Sequence, residues 1–365
     1  MKRLRIDVVD DARGFAELRS EWNDLLANSR ADCLFLTWEW LHTWWSHLGE
    51  GRRLFIVTVR CDSKLVGIAP LTISRVSFSR RLLEFAGTGS IGSDYLDFIV
   101  DPTCESAALR AMTEFLADTG FALRLPSVKD DSVVASLFAD NLSDFGWRFR
   151  KVAMQVCPFI NLANHSWDSY LGTLGSSHRY NFKRRLRNLE KTYCVRFEET
   201  GDALQHVVDL HLRRWSERGG SDGFHEDRLL AFHQEFSGLA REKGWLRLRV
   251  LSLDGHPAAA FYGFRYRDKY CFYQSGFDQA FLPQSVGLVT IGLTIKEAIE
   301  EGAAEYDLLH GDESYKFLWA SRVRPLSRIE LYPPGVIGRI HRDSVVAVAA
   351  TKRILKRALY APLNR

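Results

Sequence analysis

Residues 306–320 read YDLLHGDESYKFLWA. His310, Asp312, Glu313, Tyr315 and Lys316 follow directly on the apolar run Tyr306 to Leu309. An imidazole or a carboxylate can take a proton from a nucleophile near neutral pH, and an ammonium can hold an anion. The apolar run has the look of a buried strand, which would set these groups at its mouth. Two readings compete. In one, Gly311-Asp312 is a turn and Asp312 caps a helix that begins at Ser314. In the other, the strand delivers titratable groups into a cleft.

The elements around this stretch are legible. Residues 245–277 read as three antiparallel strands, with a hairpin turn at Asp254-Gly255 and another turn at 267–269. Leu288, Ile291, Ile295, Ala298 and Ile299 then recur at helical spacing up to Gly302, and strand 304–309 follows. Residues 53–127 repeat the order: strands, a helix over 104–119 ended by Gly120, and a strand at 121–127. A Trp-rich or amphipathic helical segment precedes each copy. The chain therefore reads as two similarly built α/β domains, residues 1–157 and 158–332, each a mixed, mostly antiparallel sheet flanked by helices.

Composition narrows the class. The chain has 365 residues, 46% hydrophobic and 12% aromatic, ample core for two domains. No stretch approaches the ~20 apolar residues that span a bilayer, and no apolar signal-peptide core is visible. Six scattered cysteines form no C-x-x-C pair, and eleven histidines show no metal-binding spacing. The expectation is reduced thiols, no metal and a cytoplasmic protein. Residues 336–365 carry seven Lys/Arg and one acid, a net +6 against +4 for the whole chain, so the remainder is slightly acidic. This segment reads as a basic amphipathic helix, a candidate for peripheral contact with the inner membrane. The acidic body argues against DNA as a partner.

The order strand-strand-strand-helix-strand, with a Gln/Gly loop opening the central helix, resembles the GNAT acyltransferase fold. Two tandem copies are similar to the FemAB-like double-GNAT proteins, most nearly their CelD-like branch, linked to cellulose or polysaccharide operons. The residues that carry the resemblance are FLTWEWLHTWW, SDYLDFIV, SSHRYNFKRRLRNLEK and GDESYKFLWA. It covers roughly residues 20–330.

The resemblance implies acyl transfer to an amine, or less often a hydroxyl, with acyl-CoA as co-substrate and no tightly bound cofactor. An acyl-carrier protein is a further candidate donor. FemAB relatives use aminoacyl-tRNA and often carry a coiled-coil insertion, of which this chain has no heptad sign. The implied pyrophosphate site is the start of the central helix, where unpaired N–H groups favour an anion. The family pattern Q/R-x-x-G-x-G/A meets Gln284, Ser285 and Gly287 here, with Val289 in the last small position. Gln274 and Ser275 end the strand that would expose amides to the thioester carbonyl. His310 or Asp312 would act as base, Tyr315 would protonate the leaving thiolate, and Lys316 would hold an anion.

On the acceptor side, Asp94, Tyr95 and Asp97 are candidates to bind an ammonium, unless they form a solvated edge-strand face. Trp38 either lines the cleft between domains or belongs to the core. Arg179 and Lys183 share a face of a basic helix that suits CoA phosphates, an anionic polysaccharide precursor or tRNA. The function expected is N-acyl transfer to a small metabolite, amino sugar or cell-envelope precursor. The alternatives are a catalytically silent double-GNAT module and a tRNA-dependent transferase.

Overall fold

The computed structural model describes residues 4–77, 80–216, 226–336 and 338–339. The basic segment 336–365 lies almost wholly outside the described residues.

The first half runs β1 (Leu4–Val9), α1 (Ala12–Glu17), α2 (Arg19–Asn28), α3 (Trp38–Leu48), β2 (Arg52–Cys61), β3 (Lys64–Ser77), β4 (Arg80–Phe85), β5 (Ile99–Val100), α4 (Glu105–Thr119), β6 (Ala122–Lys129), α5 (Val133–Asp144) and β7 (Arg148–Asn161). The second runs α6 (Trp167–Thr173), α7 (Ser176–Thr192), β8 (Val195–Glu198), α8 (Ala203–Ser216), α9 (Asp227–Glu242), β9 (Leu246–Leu253), β10 (His256–Tyr266), β11 (Lys269–Phe277), α10 (Val286–Glu300), β12 (Glu305–Asp307) and β13 (Arg322–Tyr332).

The expected meander is β9-β10-β11. Its first turn is the two-residue Asp254-Gly255, with φ of +50° and +83°, the double left-handed geometry that matches strand twist. Each half then places a helix between two parallel strands, β4 with β6 and β11 with β12. This repeats the two-copy order read from the sequence.

The halves form one continuous sheet, ordered β1-β2-β3-β4-β6-β13-β7-β12-β11-β10-β9-β8. The expected junction at 157/158 falls inside β7, which runs unbroken from 148 to 161. β13, from the C-terminal side, inserts between β6 and β7. The core is shared as well. Trp40 of α3 is fully buried against Phe232 and Phe236 of α9, Phe264 of β10 and Tyr273 of β11.

Segment 92–100 is not the alternating strand expected. Tyr95 takes φ +61° and only Ile99–Val100 pairs, with β3. The chain there loops over the second half and lays its acids inward.

Candidate active site

The site begins where two strands part. β11 and β12 run parallel through Lys269↔Glu305, Tyr270↔Tyr306 and Cys271↔Asp307. β11 then continues to Phe277 while β12 stops at Asp307. The chain leaves the sheet because Asp307 Oδ1 accepts the Leu309 N–H at 2.8 Å and Leu309 adopts φ +53°. A buried leucine in the left-handed region is costly, and such strain persists only where neighbours impose it. Lys316 is one of them: its Nζ donates to the carbonyls of His310 (2.6 Å) and Leu309 (3.4 Å) and lies 3.1 Å from Glu313. Gly311 has φ +130°, and a Cβ there would stand 2.6 Å from Lys316 Nζ, so the loop closes only around glycine.

A cavity of about 610 Å³ fills the opening. Gln274 and Ser275 of β11, the loop from Leu308 to Lys316 apart from Asp312, and Ile91 and Gly92 from the first half all face it. A second, more apolar cavity of about 360 Å³ adjoins it at the start of α10. Ser275 and Tyr315 line both.

His310 holds the centre. The Asp94 carboxylate, 1% exposed, accepts from the His310 backbone N–H at 2.9 Å and from ring Nδ1 at 2.9 and 3.0 Å. A carboxylate only accepts, so Nδ1 carries the proton and Nε2 is left as the basic nitrogen. Burial works against the imidazolium, but the Asp94 hydrogen bond and charge outweigh it and raise the His310 pKa. Gly92 packs close beneath, where a Cβ would meet His310 Cε1 at 3.1 Å. Asp94 and His310, read separately from the sequence as acceptor binder and base, are thus one pair.

Other expected residues fall elsewhere. Asp312 is exposed, does not line the cavity and caps no helix; only a 3₁₀ turn, Lys316–Leu318, follows. Lys316 is 4% exposed and its ammonium serves the loop carbonyls rather than a ligand anion. Tyr95 donates to Asp307 Oδ2 at 2.6 Å, and Arg324 of β13 reaches both Tyr95 and Asp307 at 3.3 Å. Burial raises the Asp307 pKa to about 6. Asp97 is held by Ser132 Oγ and the Phe98 N–H, and burial likewise raises it to about 6. Tyr95 and Asp97 border a separate small cavity rather than the one at the strand mouth. Trp38 is core: it stacks on His42 at 4.2 Å and donates from Nε1 to the Phe15 carbonyl at 2.9 Å.

At α10, Ser285 takes φ +58° as N-cap and its side chain makes no capping bond. Ser285 and Gly287 line the second cavity, whereas Gln284 donates to Tyr193 Oη at 3.3 Å. Val289, in the position the family pattern keeps small, is 0% exposed and packs with Leu251 and Ala259 in the core. Arg179 and Lys183 do not line the cavity; His178 and Asn181 of the same helix do. Trp319, 2% exposed, meets His178 edge to face at 4.5 Å. The Trp319 Nε1 and His178 Nε2 atoms find no partner among the described residues. His178, Trp319 and Ile91–Gly92 escaped the sequence reading. His178 lies inside a motif quoted for its basic residues, and nothing local marks the others.

Two parallel strands that part at a histidine-bearing mouth, beside a central helix without a side-chain cap, match the arrangement that the GNAT resemblance implies. Residues 176–317 match the family model for the acetyltransferase (GNAT) domain. No curated protein sequence matches the chain. A solved structure of FemX is similar at TM-score 0.61 and 13% identity, over 85% of this chain and 95% of that one. L-PGS from Bacillus licheniformis is similar at TM-score 0.53 and 14% identity, over 92% and 96%. A tandem GNAT protein from the clavulanic acid biosynthesis pathway is similar at TM-score 0.51 and 11% identity, over 92% and 100%. The chain has a tandem GNAT fold like that of these solved structures, and residues 176–317 match the model of the GNAT acetyltransferase domain. Among the described residues no helix is long and apolar enough to cross a membrane, and no cluster of His, Cys, Asp and Glu could hold a metal ion.

Proposed function

We propose that the protein is an N-acyltransferase that moves an acyl group from a thioester donor, acyl-CoA or a carrier-bound acyl group, to an amine of a small metabolite, amino sugar or cell-envelope precursor. The carrying observation is the Asp94–His310 pair, with Nε2 the basic nitrogen, at the cavity between the parted strands. The donor arm occupies the apolar cavity at α10, and its carbonyl sits where Ser275 and Tyr315 border both cavities. The amine enters from the strand mouth.

The chemistry follows from this layout. The amine nitrogen attacks the thioester carbon, the C–N bond forms and the C–S bond breaks. The proton leaving the nitrogen passes to His310 Nε2, and the thiolate takes up a proton from the Tyr315 phenol, which lines both cavities. Trp319 Nε1 and His178 Nε2 are available to polar atoms of the donor arm. The matching place before α4 favours no anion, since Glu21, Asp24 and Asp101 border its cavity. The first half therefore serves as the acceptor side and supplies Asp94.

Thermal shift with acyl-CoA and acyl-pantetheine thioesters, and thiol release with a panel of amines, tests the reading. The expectation is donor stabilisation of wild type and of His310→Ala alike, with amine-dependent thiol release lost only in the variant. Absence of stabilisation by every donor leaves the silent module standing, whereas amine-dependent release that persists in His310→Ala removes His310 as the base.

A further inference from the structure

The helix beside the donor cavity is charged in a way the chemistry above does not use. α7 carries Arg179, Lys183, Arg184, Arg185, Arg187 and Lys191 against a single acid, Glu190. Other helices of the fold pair their bases with acids one turn away, as in Arg13–Glu17, Arg110–Glu114 and Lys296–Glu300. Among the described residues, the guanidinium groups of α7 donate to neutral oxygens and not to carboxylates. Arg179 donates to the Leu171 and Gly172 carbonyls, Arg184 to Asn181 Oδ1, Arg185 to the Pro283 carbonyl and Arg187 to the Lys183 carbonyl. Tyr180, Arg184, Arg187 and Lys191 are all exposed and recur every three or four residues, so they form one outward stripe.

That stripe starts at an apolar rim. Tyr180, Leu282, Phe317 and Leu318 are 63%, 56%, 44% and 51% exposed. Leu282 and Leu318 also line the donor cavity, and the Arg185–Pro283 bond ties α7 to this rim. Among the described residues no Lys or Arg lines the cavity itself. The cations therefore stand outside the donor pocket, on the solvent face of the helix whose His178 and Asn181 line it.

We propose that this surface docks an acidic acyl-carrier protein, which threads its thioester-bearing pantetheine arm into the cavity. The inference rests on the donor-site reading above and names the donor's bearer. An apolar centre beside a charged margin is the anatomy of a protein interface, with the charges steering the encounter. The apolar stripe of α7, Phe182 and Leu189, is already buried in the body, so the helix has no apolar face to lay into a bilayer. Nucleic-acid surfaces are more polar than a rim of two leucines, a phenylalanine and a tyrosine.

The test measures binding to the full-length protein of four probes: octanoyl-loaded acyl-carrier protein, octanoyl-pantetheine, bulk tRNA and phosphatidylglycerol vesicles. The perturbation is the triple variant Arg184→Gln, Arg187→Gln, Lys191→Gln, with Leu318→Ser as an independent change at the rim. The loaded carrier should bind wild type, more weakly as salt rises. It should bind the triple variant about tenfold or more weakly, since three charges at a rim contribute on this scale. Octanoyl-pantetheine should bind both equally. Carrier binding that is absent, or unchanged in the triple variant, overturns the proposal. So does charge-dependent binding of tRNA or vesicles in place of the carrier. Failure of octanoyl-pantetheine as well would bring down the donor-site reading itself.

Discussion

Replacing Asp94 by Asn changes one atom of the site and should remove most of its turnover. The Asp94 carboxylate accepts two N–H groups, the His310 backbone at 2.9 Å and ring Nδ1 at 2.9 Å. Asn offers one acceptor oxygen and one NH₂, so one of the two donors would face another donor. Leaving it so costs about 1–3 kcal/mol. The ring can escape by moving its proton to Nε2, which turns Nδ1 into an acceptor for the amide. That tautomer has no base on the cavity side. A positioned base contributes about 10²–10⁴-fold, or about 3–5 kcal/mol, and the loss in kcat/KM should approach that of His310→Ala. Because the two residues act as a unit, the double variant should be no worse than His310→Ala alone. The pH dependence has a definite sign. Asp94 raises the His310 pKa, so activity in wild type falls on the acid side from above the ordinary histidine value. Whatever activity remains in Asp94→Asn should have its acid limb displaced to lower pH. The assay is thiol release from an acyl thioester across pH, with an amine acceptor. A wild-type rate with an unmoved acid limb in Asp94→Asn refutes the pairing as the source of base strength.

Three further perturbations follow from neighbouring features. Gly287→Asp adds bulk facing Phe277, 3.4 Å from a Cβ, and an anion at the start of α10; thioester affinity by calorimetry should drop about tenfold or more with melting temperature nearly kept. Lys316→Met removes the ammonium from the Leu309 and His310 carbonyls; urea unfolding should show a loss of about 1–3 kcal/mol, and turnover should fall as the loop relaxes from its left-handed leucine. Asp97 is raised by burial from 3.8 to about 6, so the native state keeps its proton to higher pH than the unfolded chain. That contribution to stability is full below 3.8, is lost as pH rises towards 6, and amounts to about 3 kcal/mol. Asp97→Asn should flatten urea midpoints over this window; an unchanged pH slope would show that Asp97 ionises as freely in the fold as out of it.

Features set by local interactions are legible in this sequence, and those set by distant ones are not. β9, β10, β11 and α10 were legible because hydrophobic period and turn residues are local signals, and Asp254-Gly255 falls where its backbone demands. The repeated order of elements was legible for the same reason. The partnership of Asp94 with His310 was not, since 216 residues separate them and neither stretch alone says which face it turns inward. Segment 92–100 misled because alternation suggests a strand, whereas Tyr95 at φ +61° rotates the chain so that Asp94 and Asp97 both point inward. Lys316 reads as an anion contact because an ammonium at a strand mouth can hold an anion, and otherwise as a solvated lysine. Its burial comes from two carbonyls that only the folded loop presents. Trp319 and His178 come together from different elements around Phe182, a contact with no sequence period at all.

The insertion of β13 between β6 and β7 has a bearing on how the chain is made. Strands 122–129 and 148–161 leave the ribosome early, but the strand that joins them, 322–332, emerges only after the whole of the intervening chain. At ordinary elongation rates the gap between residues 161 and 332 lasts roughly 10–35 s. Until then the nascent first half exposes the edges of β6 and β7 that β13 will join, the hazard that drives misassembly with other chains. Two domains joined in series would complete one after the other during synthesis. This chain has to wait for β13, so its first half should draw on chaperone cover from the emergence of residue 161 until that of residue 332. A stop codon placed before residue 322 should yield an aggregating product rather than a stable first half.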